Sequence, residues 1–459
     1  MNIYRDKKLG IIGAGVSGQG LALLARRLKA KVFVSEQKEI PDDVKKIFEK
    51  NKIEFEEGGN TEKIFEGTDE ILISSGIPPK AEILHEAESR GIKLTGELDF
   101  VIPFVKTRKL ICVTGSNGKS TVTSLINHIL NKAGFKAAAG GNLGKAAASF
   151  TREKFDSVVL ELSSFQLARA TKNLRALVSI ITNLAPDHID WHGSYENYVA
   201  AKAKILQLRH LNGWGIIQER DYEILKPEGK IITLSWNKDS KFQTEGKIFM
   251  DADKQEATLI LNGEPEKLFD FNQINLLGDH NLENVAMSLS AVKLINSNLL
   301  FLMPVESLIN GFKPLRHRCE LAGVIDGVQY VDDSKGTNVA ASATAMKSIK
   351  GRKVIILGGQ GKGEEYSELA DTVKAECDYA VLIGQEAEKI QEALKASGYE
   401  NFRRASGMEE AVKISHELAR PGMVVLLSPA CTSWDMYKSY KARGEDFCRL
   451  VKELEQQGN

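Results

Sequence analysis

Residues 113–121, Val-Thr-Gly-Ser-Asn-Gly-Lys-Ser-Thr, combine glycine, lysine and hydroxyl side chains in the manner of a phosphate-binding loop. Lys119 follows Gly118 as that pattern requires, but the residue six positions before the lysine is Val113, where the usual loop has glycine. In such loops backbone N–H groups at a helix start cradle phosphate oxygens, while the lysine reaches the outer phosphates and a hydroxyl ligates Mg²⁺. The strand-like run before the loop favours nucleotide binding over a glycine-rich turn with a surface lysine.

A second glycine motif follows the first apolar run of the chain. Gly13, Gly15 and Gly18 have the spacing of a dinucleotide-binding turn, and Glu36 ends the next strand-like run. This pattern alone is weak evidence for a nicotinamide cofactor, because any tight strand-to-helix turn that approaches a diphosphate needs the same glycines. Together the two motifs suggest a nucleotide-linked substrate at the first and ATP at the second.

Three polar residues after the phosphate loop are candidates for catalysis. Glu161 ends a buried strand-like run, where it either points to a metal or caps the following helix. His188 follows the next such run and is a candidate metal ligand. Lys202 lies in a helical stretch, and its own sequence context predicts only a solvent-exposed lysine.

The elements that position these residues alternate between short apolar strands and helical stretches, which is typical of α/β domains with parallel sheets. This rhythm occupies residues 8–97 and 108–205 and returns after about residue 315, whereas residues 212–275 are expected to form short antiparallel strands attached to the second domain. The sequence predicts three α/β domains, at residues 1–97, 98–314 and 315–459.

Composition restricts the function classes. The 459 residues include 61 basic and 61 acidic side chains, so no overall charge favours nucleic acid or an anionic membrane. The five cysteines are scattered without metal-binding spacing, which fits a reducing compartment. The sequence shows no signal peptide and no apolar run of membrane-spanning length. A cytoplasmic enzyme without nucleic-acid or membrane partners is expected.

Six segments, taken in order, resemble the motifs of the Mur ligase family. They read TGSNGKST, LELSSFQL, TNLAPDHIDWHGS, GDHNLENVAMSLSAV, LRHRCELAGVIDGVQYVDDSKGTN and LLSPACTSWDMYKSYKARGEDF. Family members use T-G-x-x-G-K-[ST] in the phosphate loop, so the missing first glycine is explained. The resemblance implies a Rossmann-like first domain that binds a uridine diphosphate, a central ATPase-like domain and a Rossmann-like third domain.

Within the family the chain is most similar to members that add D-glutamate to UDP-N-acetylmuramoyl-L-alanine in cytoplasmic peptidoglycan precursor synthesis. The resemblance implies an ATP-dependent amide ligation through an acyl phosphate and a tetrahedral intermediate, with ADP and phosphate as products. Lys119 is then expected to hold the outer phosphates. Ser120, Glu161, His188 and Lys202, the last as a carbamate, are expected to serve two Mg²⁺ ions. A monomer is expected.

The resemblance also implies contact residues for each substrate. For ATP these are Gly115, Ser116, Asn117, Gly118, Lys119, Ser120, Thr121, His280, Asn281, Arg318 and Asp333. For the uridine substrate they are Val16, Ser35, Ser74, Ser75, Gly76 and Asn142, and for D-glutamate they are Thr337, Lys362, Ser433 and Tyr440. The chain departs from related ligases at residues 34–36, where Val-Ser-Glu replaces a polar trio that often ends in arginine. This departure removes any arginine contact with uridine there.

Three alternatives stay open from the sequence. An oxidoreductase would leave the phosphate loop, Glu161 and His188 without a role, and a GTPase or regulatory nucleotide-binding module would lack a base-reading N-K-x-D motif. A folylpolyglutamate synthetase or another Mur ligase would share the ATP machinery. The Asn-Pro-Arg motif of relatives that add diaminopimelate is absent, which favours a dicarboxylate amino acid.

Overall fold

The computed structural model describes residues 3–239, 241–274, 276, 278–296, 303–312 and 316–457. The chain divides into two compact units. The first unit comprises Met1–Leu184, Glu196–Gln273 and Val285–Asn310, and the second comprises Ala185–Tyr195, Ile274–Asn284 and Gly311–Asn459. The first unit holds two sheets and the second holds one, so the predicted three-domain α/β class is confirmed. The predicted boundary between residues 314 and 315 lies outside the described residues, and the domain limits stay predictions.

The first sheet is wholly parallel, in the order β3-β2-β1-β4-β5. Its strands are β1 Lys8–Ile12, β2 Lys31–Ser35, β3 Glu54–Glu56, β4 Glu70–Ile73 and β5 Lys93–Gly96. The helices of this region are α1 Val16–Arg27, α2 Asp42–Lys50, α3 Glu82–Ser89 and α4 Glu97–Val101. The strands are continuous apolar runs because helices cover both faces of a parallel sheet. Within this first sheet, only the short strand β3 was not predicted from the sequence.

The second sheet has nine strands, in the order β14-β13-β12-β11-β10-β9-β6-β8-β7. They are β6 Lys109–Thr114, β7 Ala137–Gly141, β8 Ser157–Glu161, β9 Val178–Ile181, β10 Trp214–Gln218, β11 Ile231–Ser235, β12 Gly246–Asp251, β13 Glu256–Leu261 and β14 Glu264–Asp270. The helices between residues 98 and 312 are α5 Lys119–Lys132, α6 Ser164–Ala168, α7 Ile189–His192, α8 Tyr195–Gln207, α9 Tyr222–Leu225, α10 Asp279–Ile295 and α11 Val305–Ile309. Short 3₁₀ turns lie at Glu62–Ile64, Ile102–Phe104, Ala147–Thr151, Glu219–Asp221 and Phe271–Gln273.

The expectation that residues 212–275 form only antiparallel strands was wrong. β10, β11 and β12 continue the parallel sheet, and only β13 and β14 pair antiparallel. The lengths of the connections explain this difference. The segments that join β10 to β11 and β11 to β12 are long enough to return to the other end of the neighbouring strand, as parallel pairing requires. The segment between β12 and β13 is a tight turn, which requires antiparallel pairing.

The third sheet has the order β15-β16-β20-β17-β18-β19, with only the edge strand β15 antiparallel to its neighbour. The strands are β15 Glu320–Ile325, β16 Val328–Asp332, β17 Lys353–Gly358, β18 Tyr379–Ile383, β19 Phe402–Arg404 and β20 Val424–Leu427. The helices are α12 Val339–Ser348, α13 Ser367–Glu376, α14 Ala387–Ala396, α15 Met408–Leu418 and α16 Tyr440–Gln457. Apolar clusters pack on both faces of this sheet.

Strand register brings the predicted site residues to the carboxyl ends of the sheets. In the second sheet Val113 of β6 pairs with Glu161 of β8, so the phosphate loop begins beside that carboxylate. In the first sheet Ile12 pairs with both Ser35 and Ile73, which places the glycine turn beside the ends of β2 and β4. Ligands of open α/β sheets bind at this edge. Within the described residues no helix is both long enough and apolar enough to cross a membrane.

Candidate active site

The phosphate loop leaves β6 through two glycines with left-handed or otherwise positive φ. Gly115 has φ +141° and Gly118 has φ +80°, and a side chain at Gly115 would overlap the hydroxyl of Thr182. The helix α5 begins directly afterwards, at Lys119. The first N–H groups of a helix have no intrahelical partner, and the helix dipole adds positive potential there. The loop therefore has the backbone needed to hold phosphate oxygens.

Asn183 braces this loop from the end of β9. The N–H of Ser116 donates to the carbonyl of Asn183 over 2.9 Å, and the N–H of Asn117 donates to Asn183 Oδ1 over 2.9 Å. Asn183 Nδ2 in turn donates to the Asn117 carbonyl over 3.1 Å. Asn183 was not predicted as a functional residue. It lies in the TNLAPDH segment, in which only His188 was a candidate.

Two lysines converge on a single carbonyl of the loop. Lys119 Nζ donates to the Gly115 carbonyl over 2.9 Å, and Lys202 Nζ donates to the same carbonyl over 2.7 Å. Lys202 is 2 % exposed, and its Nζ lies 4.7 Å from the centre of the Tyr198 ring. The prediction of a solvent-exposed lysine, made from its own sequence context, is therefore wrong. The amphipathic helix α8 turns Lys202 inward toward β6.

Lys119 and Lys202 bring two basic side chains to the same part of the phosphate loop. Basic side chains beside a loop of free helix-start N–H groups suit an anionic ligand such as a phosphate.

The carboxylate predicted to direct a metal is buried at the end of β8. Glu161 is 2 % exposed, and its Oε1 accepts a hydrogen bond from Asn142 Nδ2 over 3.0 Å. The hydroxyl residues Ser120 and Thr121 are buried in the first turn of α5. Carboxylate and hydroxyl oxygens are the ligands that Mg²⁺ prefers, so this donor set fits that ion. Asn142, which is predicted to face the sugar diphosphate, therefore lies beside this carboxylate.

The first glycine turn holds a carboxylate of its own. A side chain at Gly18 would overlap the carbonyl of Gly13, so the close approach of α1 to β1 requires glycine there. The N–H of Ala14 donates to Glu36 Oε2 over 2.7 Å. The backbone N–H of Ala14 in this turn is therefore already bound to the carboxylate of Glu36. Glu36 directly follows β2.

The predicted uridine contacts differ in their exposure. Val16 is 62 % exposed at the start of α1, and Ser75 and Gly76 are accessible after β4. Ser74 is buried, and its hydroxyl donates to the Ile12 carbonyl over 2.7 Å. Ser35 is fully buried, and its hydroxyl hydrogen-bonds Glu56 over 2.6 Å, so a uridine contact from that hydroxyl would require this bond to open.

Three of the predicted adenine-nucleotide residues interact in the second unit. Burial, followed by the nearby charge of Arg318, lowers the pKa of His280 to about 4, so this imidazole is neutral at physiological pH. Burial raises the pKa of Asp333 to about 7, although the Ser428 hydroxyl and Arg318 oppose the shift. Asn281, the fourth predicted residue, accepts from Asn284 Nδ2 over 3.2 Å.

Two of the predicted amino-acid residues, Lys362 and Thr337, lie at an ion pair that was not predicted from the sequence. Lys362 Nζ lies 2.9 Å from Asp187 Oδ1 and 3.5 Å from the hydroxyl of Thr337. Asn338 Nδ2 donates to the other oxygen of Asp187 over 3.3 Å. His188 Nε2 lies 3.6 Å from the same oxygen, and His188 has φ +54° at the start of α7.

Ser433 belongs to a loop that pairs with the Lys362 loop. The backbone groups of Gln360 and Thr432 exchange two hydrogen bonds, of 3.0 and 2.9 Å. Ser433 itself is 2 % exposed. Tyr440 begins α16, and its hydroxyl accepts from Lys335 Nζ over 3.3 Å.

Arg443 joins the loop that follows β16 to the loop that follows β20. It is completely buried, and its guanidinium donates to the carbonyls of Ser334, Cys431 and Thr432. Burial lowers the pKa of this guanidinium to about 10. Sequence reasoning did not single it out, because an arginine in a helical stretch normally reads as a solvated charge.

Models of three domains match the chain in order. They are the MurD N-terminal domain at residues 8–83, the Mur ligase middle domain at residues 113–292 and the Mur ligase, glutamate ligase domain at residues 317–431. The UDP-N-acetylmuramoylalanine--D-glutamate ligase of Bacteroides fragilis is 35% identical over 456 residues, which cover 98% of this chain and 100% of the relative. The chain belongs to the Mur ligase family.

Other proteins of the same kind give a consistent result. The UDP-N-acetylmuramoylalanine--D-glutamate ligase of Pelotomaculum thermopropionicum is 35% identical and covers 98% of each chain. Among solved structures, a pseudomurein peptide ligase type C from Methanothermus fervidus aligns with TM-score 0.59 at 18% identity, over 98% of this chain and 100% of its own. The MurF ligase of Thermotoga maritima in complex with ADP aligns with TM-score 0.58 at 16% identity, over 99% of this chain and 96% of its own. These structures share the Mur ligase fold.

The described residues contain a single tight group of three potential metal-ligating side chains, and it is not the predicted magnesium site. Ligand atoms of His317, Glu320 and Asp332 lie within 4.8 Å of one another. His317 Nδ1 and Asp332 Oδ2 hydrogen-bond over 2.6 Å, and the His317 N–H donates to Glu320 Oε2 over 2.8 Å. Glu320 begins β15 and pairs with Asp332 at the end of β16, so the group lies where these two strands are joined.

Proposed function

We propose that this Mur ligase joins D-glutamate to the carboxylate of UDP-N-acetylmuramoyl-L-alanine and hydrolyses ATP to ADP and phosphate. The observation that carries the proposal is the 35% identity, over essentially the whole of both chains, to relatives named for that reaction. The residues aligned with these relatives include both the phosphate loop and the segment that contains Lys362. Neither an oxidoreductase nor a GTPase would require the second of these.

The reaction is an amide ligation through an activated carboxylate. A carboxylate oxygen of the alanine attacks the γ-phosphorus of ATP, which forms an acyl phosphate and releases ADP. The neutral amine of D-glutamate then attacks the acyl carbon, and the tetrahedral intermediate expels phosphate with that same oxygen. The D-glutamate nitrogen loses two protons in all, one when its ammonium becomes the neutral amine and one when the amide forms; the departing phosphate takes up one of them and the solvent takes the other. Every species is anionic, so catalysis depends on placed positive charge and backbone N–H groups.

Lys119 and the loop residues 115–121 would hold the β- and γ-phosphates of ATP. His280, Asn281, Arg318 and Asp333 would contact the adenine nucleotide. A neutral His280 suits this role, because an uncharged imidazole can hydrogen-bond an adenine or ribose without attracting a phosphate.

The oxygen donors Ser120 and Glu161 would hold one Mg²⁺, and His188 with Lys202 would serve a second. The bound metal would supply Lewis-acid stabilisation of phosphate charge. Lys202 as an ammonium cannot ligate a cation. We therefore propose that the Lys202 ammonium first loses a proton and that the neutral amine then reacts with CO₂, which gives a carbamate and releases a second proton.

The uridine substrate would occupy the turn after β1, with contacts from Val16, Ser35, Ser74–Gly76 and Asn142. The amino acid would bind Thr337, Lys362, Ser433 and Tyr440. We further propose domain limits at residues 97 and 314, action as a monomer, and a cytoplasmic location. Analytical ultracentrifugation of the purified protein checks the oligomeric state directly, and a dimer would contradict it.

Phosphate release tests the substrate assignment. With ATP, Mg²⁺ and UDP-N-acetylmuramoyl-L-alanine present, D-glutamate is expected to support turnover, and L-alanine and meso-diaminopimelate are not. Equal or faster turnover with a diamino acid or L-alanine would contradict the proposal. Phosphate release that ignores the amino acid altogether would point to a nucleotide hydrolase.

Lys362→Ala tests the amino-acid site within that assay. Loss of a charge-assisted contact of about 1.5–3 kcal/mol should raise the KM for D-glutamate at least about tenfold. The KM for ATP should change little. Lys347→Ala is a matched control, because Lys347 is exposed on α12. Equal shifts in both KM values would assign Lys362 to the nucleotide site instead.

A further inference from the structure

Glu364 lies beside Lys362, which is proposed to bind the amino acid, and is outside the six segments that resemble the family's motifs. Its Oε2 accepts a hydrogen bond from the N–H of Val339 over 2.8 Å, at the start of α12. Its Oε1 is buried and has no hydrogen-bond partner among the described residues. A buried carboxyl oxygen without a partner is unusual, and each such group calls for an explanation.

The charges of this group do not suit a dicarboxylate as they stand. The positive charge of Lys362 is already matched by Asp187, in a pair whose side chains are only 10% and 9% exposed. If Glu364 is ionised as well, these three residues carry a net negative charge. An incoming D-glutamate would then meet repulsion at the site that must hold its carboxylate.

One bound proton would remove this repulsion and use the unpaired oxygen. A protonated carboxyl group can donate a hydrogen bond to a carboxylate, and such bonds are short and strong. The terminal torsion of glutamate is soft, so a small rotation of the carboxyl group can aim Oε1 at a ligand without a large change at Oε2. Glu364 is half-buried as a residue, which leaves one side open to a ligand.

The surroundings of Glu364 keep the protonated form accessible near neutral pH. Burial raises the pKa of Glu364 to about 7; the Val339 N–H and Lys362 oppose the shift, and Asp187 adds to it. His188 also lies next to this group, because its Nε2 is 3.6 Å from Asp187 Oδ2. The Cys431 thiol also faces Glu364, and burial raises the pKa of that thiol to about 12, so it stays neutral.

We propose that Glu364 is protonated when D-glutamate binds. Its carboxyl O–H then donates a hydrogen bond to the D-glutamate carboxylate that Lys362 also contacts. The inference rests on the proposed function and adds a proton to its substrate site. Above pH 7 the carboxylate of Glu364 takes one proton from solvent as the amino acid binds. It returns that proton when the product leaves.

Inhibition by glutarate tests the inference, because glutarate has both carboxylates of D-glutamate and no amine that titrates. Between pH 7.5 and 9 its inhibition constant against D-glutamate should rise about tenfold per pH unit in the unmodified enzyme. In Glu364→Gln, whose amide donates at every pH, the constant should be nearly flat. Glu365→Gln is the matched control, since Glu365 is adjacent and exposed, and it should follow the unmodified enzyme. The same slope in Glu364→Gln would overturn the inference.

Calorimetry of the unmodified enzyme provides a test that needs no variant. Glutarate binding measured at pH 8 in two buffers of different ionisation enthalpy should show uptake of about one proton per site. Binding without proton uptake would overturn the inference while D-glutamate turnover leaves the proposed function intact. If glutarate does not bind and D-glutamate does not support phosphate release, the proposed function fails together with the inference.

Discussion

The glycine turn after β1 and the phosphate loop after β6 have similar backbones but opposite charge. Each joins the end of a parallel strand to a helix through glycines that a side chain would disrupt. In the first turn an amide is occupied by the carboxylate of Glu36, at 2.7 Å. In the second, the ammonium groups of Lys119 and Lys202 meet at one carbonyl.

This difference shows what a glycine motif does and does not specify. The glycines fix the path of the backbone and the approach of the helix. The ligand is chosen by the side chains that neighbouring elements bring to that path. A turn that already contains a carboxylate suits a substrate recognised partly by neutral groups, whereas the lysine at the start of α5 suits a highly charged anion such as a triphosphate.

The largest expected effect comes from removing the cation of the second turn. Lys119→Ala should lower turnover about 100- to 1,000-fold, the scale of losing one preorganised charge. The fold should persist, since the residue begins a helix and is not part of an apolar core. Lys132→Ala, at the exposed end of the same helix, is the control and should remain active. Near-normal turnover in a folded Lys119 variant would remove the ATP assignment from this loop.

Removing the other lysine of the pair should have a large effect of a different kind. Lys202→Ala should reduce activity about 10- to 100-fold, as expected for losing a group that supports a metal site. Acetate or another short carboxylate should restore part of the activity, because it supplies the oxygens of the missing carbamate. Lys204→Ala on the same helix should not respond to acetate. Failure of every carboxylate to rescue Lys202→Ala would argue against the carbamate.

The first turn is expected to respond through the uridine substrate alone. Gly18→Ala places a methyl group against the Gly13 carbonyl and should destabilise the protein by about 1–3 kcal/mol. The KM for UDP-N-acetylmuramoyl-L-alanine should rise with little change for ATP. Gly15→Ala is the control, since a side chain there meets nothing within 4 Å. A larger rise for ATP than for the uridine substrate would reverse the assignment of the two turns.

The smallest expected effect concerns Glu36. Gln at this position keeps an acceptor for the Ala14 N–H and removes a negative charge near the proposed diphosphate. The KM for the uridine substrate should fall about two- to threefold, in line with about 0.5 kcal/mol for a partly exposed charge. Glu39→Gln, at an exposed position nearby, should have no effect. A tenfold rise instead would show that the Glu36 carboxylate contacts the substrate directly.

The sequence predicted the parts of this molecule that depend on local pattern. The apolar runs predicted most strands of each sheet, whereas β3, β7, β14, β15, β16 and β19 were not predicted. The phosphate loop was predicted because its glycines, lysine and hydroxyls are contiguous. Lys202 was misjudged from its own context, because burial depends on which face of α8 packs against β6. Only the resemblance to a family placed it in the site.

Other features depend on contacts between distant segments, which no local pattern records. The parallel pairing of β10 to β12 follows from crossover connections and not from strand composition. The pairing of Lys362 with Asp187 joins residues 175 positions apart. Arg443 likewise reaches Ser334 from a separate helix, across 109 positions.

Transfer of oxygen from substrate to phosphate tests the proposed ligation most directly. UDP-N-acetylmuramoyl-L-alanine labelled with ¹⁸O in both carboxylate oxygens should be incubated with ATP, Mg²⁺ and D-glutamate, and the phosphate analysed by mass spectrometry. An acyl phosphate requires that each turnover place one ¹⁸O atom in phosphate and leave the other in the new amide. Phosphate without ¹⁸O, formed at the same rate as ADP, would contradict the ligase mechanism.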